Sequence, residues 1–96
     1  MALIDMDFNN GGGGGMSVLY DGTNLASNTW NDTGVTPSGL TAIVFVDEAN
    51  ATIGWFEWEN GSFTTLASLR SSVRIGSSGT IEVQGTYATY KCKVYG

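Results

Sequence analysis

Ninety-six residues make one domain able to fold alone, and a 42% hydrophobic share belongs to a globular chain rather than a disordered one. Charged residues are only 14%, the net charge is −5 and the pI is near 4.2, which excludes general nucleic-acid binding because phosphate must be met by clustered cations. The absence of histidine excludes Ser-His and Cys-His nucleophiles and His-liganded metals, and one cysteine excludes an intrachain disulfide.

Thr, Ser, Asn and Gly make up 41 of the 96 residues, a mixture that builds turns and outward strand faces and makes poor helices. The charges divide along the chain. Residues 1–69 hold eight acids and no base, whereas residues 70–96 hold Arg70, Arg74, Lys91 and Lys93 with one acid. A split of this kind predicts that one end meets the opposite end, within the subunit or on a neighbouring copy.

In chain order, residues 2–8 alternate, with Ile4, Met6 and Phe8 on one face and Asp5 and Asp7 on the other, the pattern of a half-buried strand. A glycine-rich loop follows over 9–15, with five consecutive glycines that are costly to order. Residues 16–20 read as a short strand ended by the turn Asp21-Gly22-Thr23-Asn24. Residues 25–31 read as an irregular strand, and residues 33–39, with the only proline, as a loop.

The run LTAIVFV over 40–46 is apolar on both faces and predicts a central strand. After a turn at 47–50, residues 53–59 and 62–69 flank Asn60-Gly61, a strong two-residue hairpin signal because a type I′ turn needs positive φ at both positions. That loop sets a register of Glu59 opposite Ser62, Trp58 opposite Phe63, Glu57 opposite Thr64, Phe56 opposite Thr65 and Trp55 opposite Leu66. One face of the hairpin then carries Phe56, Trp58, Phe63 and Ala67 toward the core, and the other carries Glu57, Glu59, Trp55 and Leu66.

Residues 73–76 and 80–84 bracket the Ser77-Ser78-Gly79 turn. A long strand closes the chain over 86–95. Its faces read Ala88, Tyr90, Cys92, Val94 and Tyr87, Thr89, Lys91, Lys93, Tyr95, which places Cys92 as a buried, inert thiol. Seven or eight short strands with regular turn signals make an all-β antiparallel sandwich or jelly roll, a single domain over residues 1–96.

No motif points to catalysis. Glu57 and Glu59 share one strand face about 6.6–7 Å apart, a spacing found in glycosidase pairs, but such pairs come from opposite sides of a cleft and these read as a solvated strand face. The run from Asp5 to Gly11 approaches a calcium loop, yet Asn10 stands where glycine is needed and Met16 where a bidentate glutamate is needed. The three Asn-x-Ser/Thr sites, at Asn31, Asn50 and Asn60, are chance matches in so Asn- and Thr-rich a chain. No cofactor or metal is expected.

The tryptophans carry more. Trp55 and Trp58 point to opposite faces of one strand, so Trp30, Trp55 and Trp58 do not all fit one inner face. A tryptophan left outside is an interface anchor or a platform for a sugar ring. Trp30, Trp55, Leu66, Arg70, Arg74, Lys91, Lys93 and Tyr95 are the interface or ligand candidates.

The opening MALIDMDF followed by a glycine run, the Thr/Ser/Gly/Asn-rich strand body and the closing TYATYKCKVYG together resemble small tail-associated β-sandwich modules of siphophages and of gut Firmicutes prophages. The resemblance implies a virion component, either a tail-tip or fibre piece or a protein decorating the head. Family members often end in a Trp-x-Ala-x-Gly-like pattern. The equivalent segment here, Lys93-Val94-Tyr95-Gly96, lacks the tryptophan, so a lectin function does not follow from the likeness.

The expected protein is therefore a non-enzymatic bacteriophage structural module that self-assembles into a homo-oligomer on a virion. Its expected partners are other copies, other virion proteins and a host-surface glycan, without nucleic acid or membrane insertion. MALIDMDF has no basic n-region and no long apolar run, so neither a signal peptide nor an anchor is expected there, and the expected location is the virion. The alternative is a carbohydrate-binding sandwich using Trp55 or Trp30. A hydrolase built on Glu57 and Glu59 is the weakest reading.

Overall fold

The computed structural model describes residues 16–47, 49–68, 70–86 and 89–96, and the expected strand over 2–8 and the glycine-rich loop 9–15 lie outside these. The described residues form eight strands in two antiparallel sheets, a β-sandwich: β1 (Val18–Ala26), β2 (Asn31–Asp32), β3 (Thr41–Val46), β4 (Thr52–Glu59), β5 (Ser62–Ser68), β6 (Ser71–Ile75), β7 (Ile81–Gly85) and β8 (Thr89–Tyr95). The larger sheet has the order β1-β8-β3-β4-β5 and the smaller one β2-β7-β6.

β3 lies in the middle of the larger sheet, between β8 and β4, as its two apolar faces require. Ile43 and Phe45 point inward and are fully buried. Tyr90, Cys92 and Val94 of β8 join them from the next strand, and Ile81 and Val83 of β7 close the core from the smaller sheet. Phe45 stacks on Tyr90 at 5.8 Å and meets Phe56 edge-on at 5.7 Å, both favoured aromatic geometries. Cys92 is buried in this core as a free thiol, and desolvation pushes its pKa far above the ordinary range.

The β4–β5 hairpin turns on Asn60 and Gly61 with φ of 54° and 86°, the pair of positive values a type I′ turn needs. Its register follows the expected one from Glu59 opposite Ser62 to Phe56 opposite Thr65. There it breaks. A bulge sets Trp55 opposite Ala67 rather than Leu66, so Ala67, expected in the core, shares the outer face with Trp55 and is exposed. Trp58 and Phe63 are half-buried and pack edge to face at 4.9 Å.

β1 departs from expectation as well. Residues 21–24 are not a turn: the strand runs through them to Ala26, paired with β8, and absorbs the irregularity as a register shift between Gly22 and Leu25 with Asn24 at φ 53°. The chain instead turns at Ser27–Thr29, so the irregular strand expected over 25–31 is divided between the end of β1 and the short β2. Beyond β2, Thr33 and Val35 continue the pairing with Ile81 through backbone bonds of 2.9 and 2.8 Å.

The two sheets approach closely where β6 crosses β4. Ser71 Oγ donates to the Ile53 carbonyl at 3.0 Å. A methyl group on Gly54 would collide with the Ser71 hydroxyl, so only glycine lets the two strands approach here.

Candidate functional site

The strand order settles where the charged segments go. β8 is threaded between β1 and β3, so the basic end of the chain is flanked by strands from its acidic part. Along β8, Tyr90, Cys92 and Val94 face the core, which turns Lys91, Lys93 and Tyr95 to the outer face of the larger sheet. Register then defines rows across that face. One row runs Asp21, Lys93, Val44, Trp55, Ala67, and the next runs Val18, Tyr95, Ala42, Glu57, Thr64.

A cavity of about 420 Å³ opens on this face over β1, β8 and β3. Val44, Val46 and Tyr95 supply apolar lining, and Asp21, Lys91 and Lys93 bring charge to it. Asn50 closes one side from the β3–β4 loop, where its side-chain carbonyl accepts a hydrogen bond from Lys91 Nζ at 3.0 Å. That loop is held locally: Asp47 Oδ1 accepts from the backbone N–H groups of Ala49 and Ala51 at 2.8 and 2.9 Å, and Asn50 takes φ 66°. Among the described residues the side chains of Lys93 and Asp21 have neither a hydrogen-bond nor an ion-pair partner, although the two residues sit opposite each other in register.

Beside the cavity, Ala42 and Tyr95 form a second, smaller apolar cluster with Met16, Leu40, Val44 and Trp55. Two polar atoms on this part of the face, Trp55 Nε1 and Glu57 Oε2, are shielded from solvent without a hydrogen-bond partner among the described residues. Such groups cost free energy where they stand.

Trp55, Lys91, Lys93 and Tyr95 are thus brought onto one face. The other sequence candidates lie elsewhere. Trp30 and Arg74 are joined at the smaller sheet, the guanidinium 4.1 Å from the ring centroid, and Arg74 Nε donates to Glu82 Oε1 at 2.7 Å. One face of the Trp30 ring is therefore taken by Arg74, and Trp30 and Trp55 are both half-buried. Leu66 is 38% exposed at the β5 bulge, and Arg70, at φ 62°, joins β5 to β6 while its carbonyl accepts from Thr86 N–H at 3.0 Å. Glu57 and Glu59 lie on the outer face, not across a cleft.

Asp21, Asn50, Val44 and Val46 were not singled out in the sequence. Asp21 and Asn50 read there as turn residues, and the valines as filling for a strand buried on both sides. Alternation within LTAIVFV, which puts Ala42, Val44 and Val46 on one face, was the available signal.

The fold and this face define an antiparallel β-sandwich with a concave, mixed apolar and charged surface on its larger sheet. No family model matches the chain, and no curated protein or solved structure is significantly similar to it.

Proposed function

We propose that the chain is a non-enzymatic structural module of a bacteriophage virion, a tail-tip, fibre or head-decoration piece that self-assembles. The observation that carries this reading is β5. It is an outer strand of the larger sheet among the described residues, its side chains are exposed from Thr64 to Ser68, and its seven residues include no charge and no proline. Proteins shield long sheet edges with charges, prolines, bulges or short strands, because an open row of N–H and C=O groups pairs with another chain. The other described outer strands are so shielded. β1 carries Asp21 and two register breaks, β2 has two residues, and β6 carries Arg74.

On β5 the bulge lies at the Leu66 end and leaves Ser62–Thr65 in regular register. This stretch is what a neighbouring copy or another virion protein would extend. The resemblance of the chain's opening, body and end to phage tail modules supports the virion setting.

Sedimentation velocity over a concentration series tests the assembly. Self-association that Thr65→Lys weakens, with an unchanged melting curve, is expected. A strict monomer at high concentration, absent from purified particles of its phage, would overturn the proposal.

A further inference from the structure

The outer-face cavity answers a different question from β5, and its argument stands whether or not the chain assembles. We infer that it binds a carboxylate-bearing saccharide, of the uronic-acid class, with the acid group on Lys93 and Lys91 and the hydroxyls on Asp21 and Asn50.

Size and shape come first. A cavity of about 420 Å³ lies within the range of small-molecule sites, which combine a mostly apolar lining with a few placed polar groups. Val44, Val46 and Tyr95 give the C–H face of a sugar ring an apolar surface.

Charge decides the rest. The chain carries −5 overall, yet half of its four cations converge on this one cavity. Lys91 and Lys93 project from the same strand face about 6.6–7 Å apart, close enough to share one carboxylate and its neighbouring hydroxyl. Both are half-buried, so their field is less screened than that of fully exposed lysines. Lys91 is positioned by its bond to Asn50, whereas Lys93 has its donors open among the described residues.

Asp21 narrows the ligand class. Its carboxylate is a hydrogen-bond acceptor that repels a bare anion, and the −5 of the whole chain repels polyanions with closely spaced charges. A hydroxylated acid meets both demands, because its carboxylate takes the ammonium donors while its O–H groups donate to Asp21. Asn50 adds an amide, which both donates and accepts. An aliphatic acid would satisfy the lysines and leave Asp21 opposed.

The test is titration of the protein with galacturonic acid trisaccharide, the uncharged galactose trisaccharide and acetate, followed by amide shifts of Val44, Lys91 and Lys93 in nitrogen–proton NMR spectra. Specific shifts are expected with the acidic trisaccharide alone. Lys93→Ala should weaken its binding by about tenfold or more, the loss of a charge-assisted hydrogen bond. Lys93→Gln keeps the length of the side chain and should show the same loss, so a misfolded alanine variant would not spoil the test. Asp21→Asn should weaken the acidic sugar and strengthen acetate.

Equal shifts with acetate would reveal a plain anion site and overturn the inference. So would equal shifts with the neutral sugar, no shifts at all, or binding unchanged in both Lys93 variants. Shifts that appear with rising protein concentration alone, and vanish in Glu57→Gln/Glu59→Gln, would overturn it in favour of the acidic face of a second copy.

Discussion

Asn31 on β2 donates its side-chain amide to the Tyr90 hydroxyl on β8 at 2.8 Å, bonding an outer strand of the smaller sheet to the core face of the larger one. The same amide reaches the carbonyls of Ala26 and Thr29 at 3.1 and 3.2 Å, whereas the Tyr90 hydroxyl also donates to the Val83 carbonyl at 3.5 Å and meets the Gly85 backbone. Losing the hydroxyl should therefore be mild and losing the amide worse. Tyr90→Phe is expected to cost about 0.5–1.5 kcal/mol and Asn31→Ala about 1–3 kcal/mol, since the second removes three hydrogen bonds at once and takes a partner from a buried hydroxyl. Urea denaturation midpoints at constant slope measure both, and the reverse ranking would refute the assignment.

Where β6 crosses β4, Gly54→Ala should destabilise by about 1–3 kcal/mol, because the new methyl group has no room beside Ser71 and the strands must part. Ser71→Gly alone loses the bond to Ile53, yet in combination it should recover part of the Gly54→Ala loss. A double-mutant cycle with no coupling between the two positions would show that the close approach is not what requires glycine.

High pH should unfold the protein through its core. Burial pushes up the Cys92 thiol, and desolvation is the main cause raising Tyr20 and Tyr90 too. All three bind their protons more tightly folded than unfolded. Their contribution is full below the unfolded values, about 8.5 for the thiol and about 10 for the phenols, and is lost as pH rises beyond those values. Thermal melts are expected to be level from neutral pH to about 8 and then to fall. Cys92→Val, close in volume, should delay the start of the fall toward about pH 10, where the tyrosines begin to release their protons. A variant that falls from the same pH as the wild type would exclude Cys92 as the first group to act.

Arg74 over Trp30 should be visible spectroscopically. Arg74→Gln is expected to change the tryptophan emission maximum and to cost only about 0.5–1 kcal/mol, because half of the Arg74 side chain faces solvent and its pair with Glu82 is worth little there. Arg74→Lys should restore charge without restoring the emission, since an ammonium lacks the planar fork that lies on the ring and bonds Glu82 together. Emission equal to wild type in both variants would argue against the stacked geometry.

Features set by neighbouring residues could be read directly from the sequence. Asn60-Gly61 demands a hairpin because positive φ is a property of those two residues, and the period of two along β8 separates Cys92 from Lys91 and Lys93 in any antiparallel sandwich. The two-faced apolar run of β3 required a central position for the same kind of reason. Long-range pairing lay beyond such local rules. The bulge that takes Ala67 out of the core shifts the β4–β5 pairing between Phe56 and Trp55, and nothing in the local sequence of β5 marks it. Asp21, Asn50, Val44 and Lys93 line one cavity only because β8 inserts between β1 and β3, and no composition or spacing rule orders strands within a sheet. Local backbone preference determined the elements, whereas the packing of the two apolar faces against each other determined which elements became neighbours and so where the charges came together.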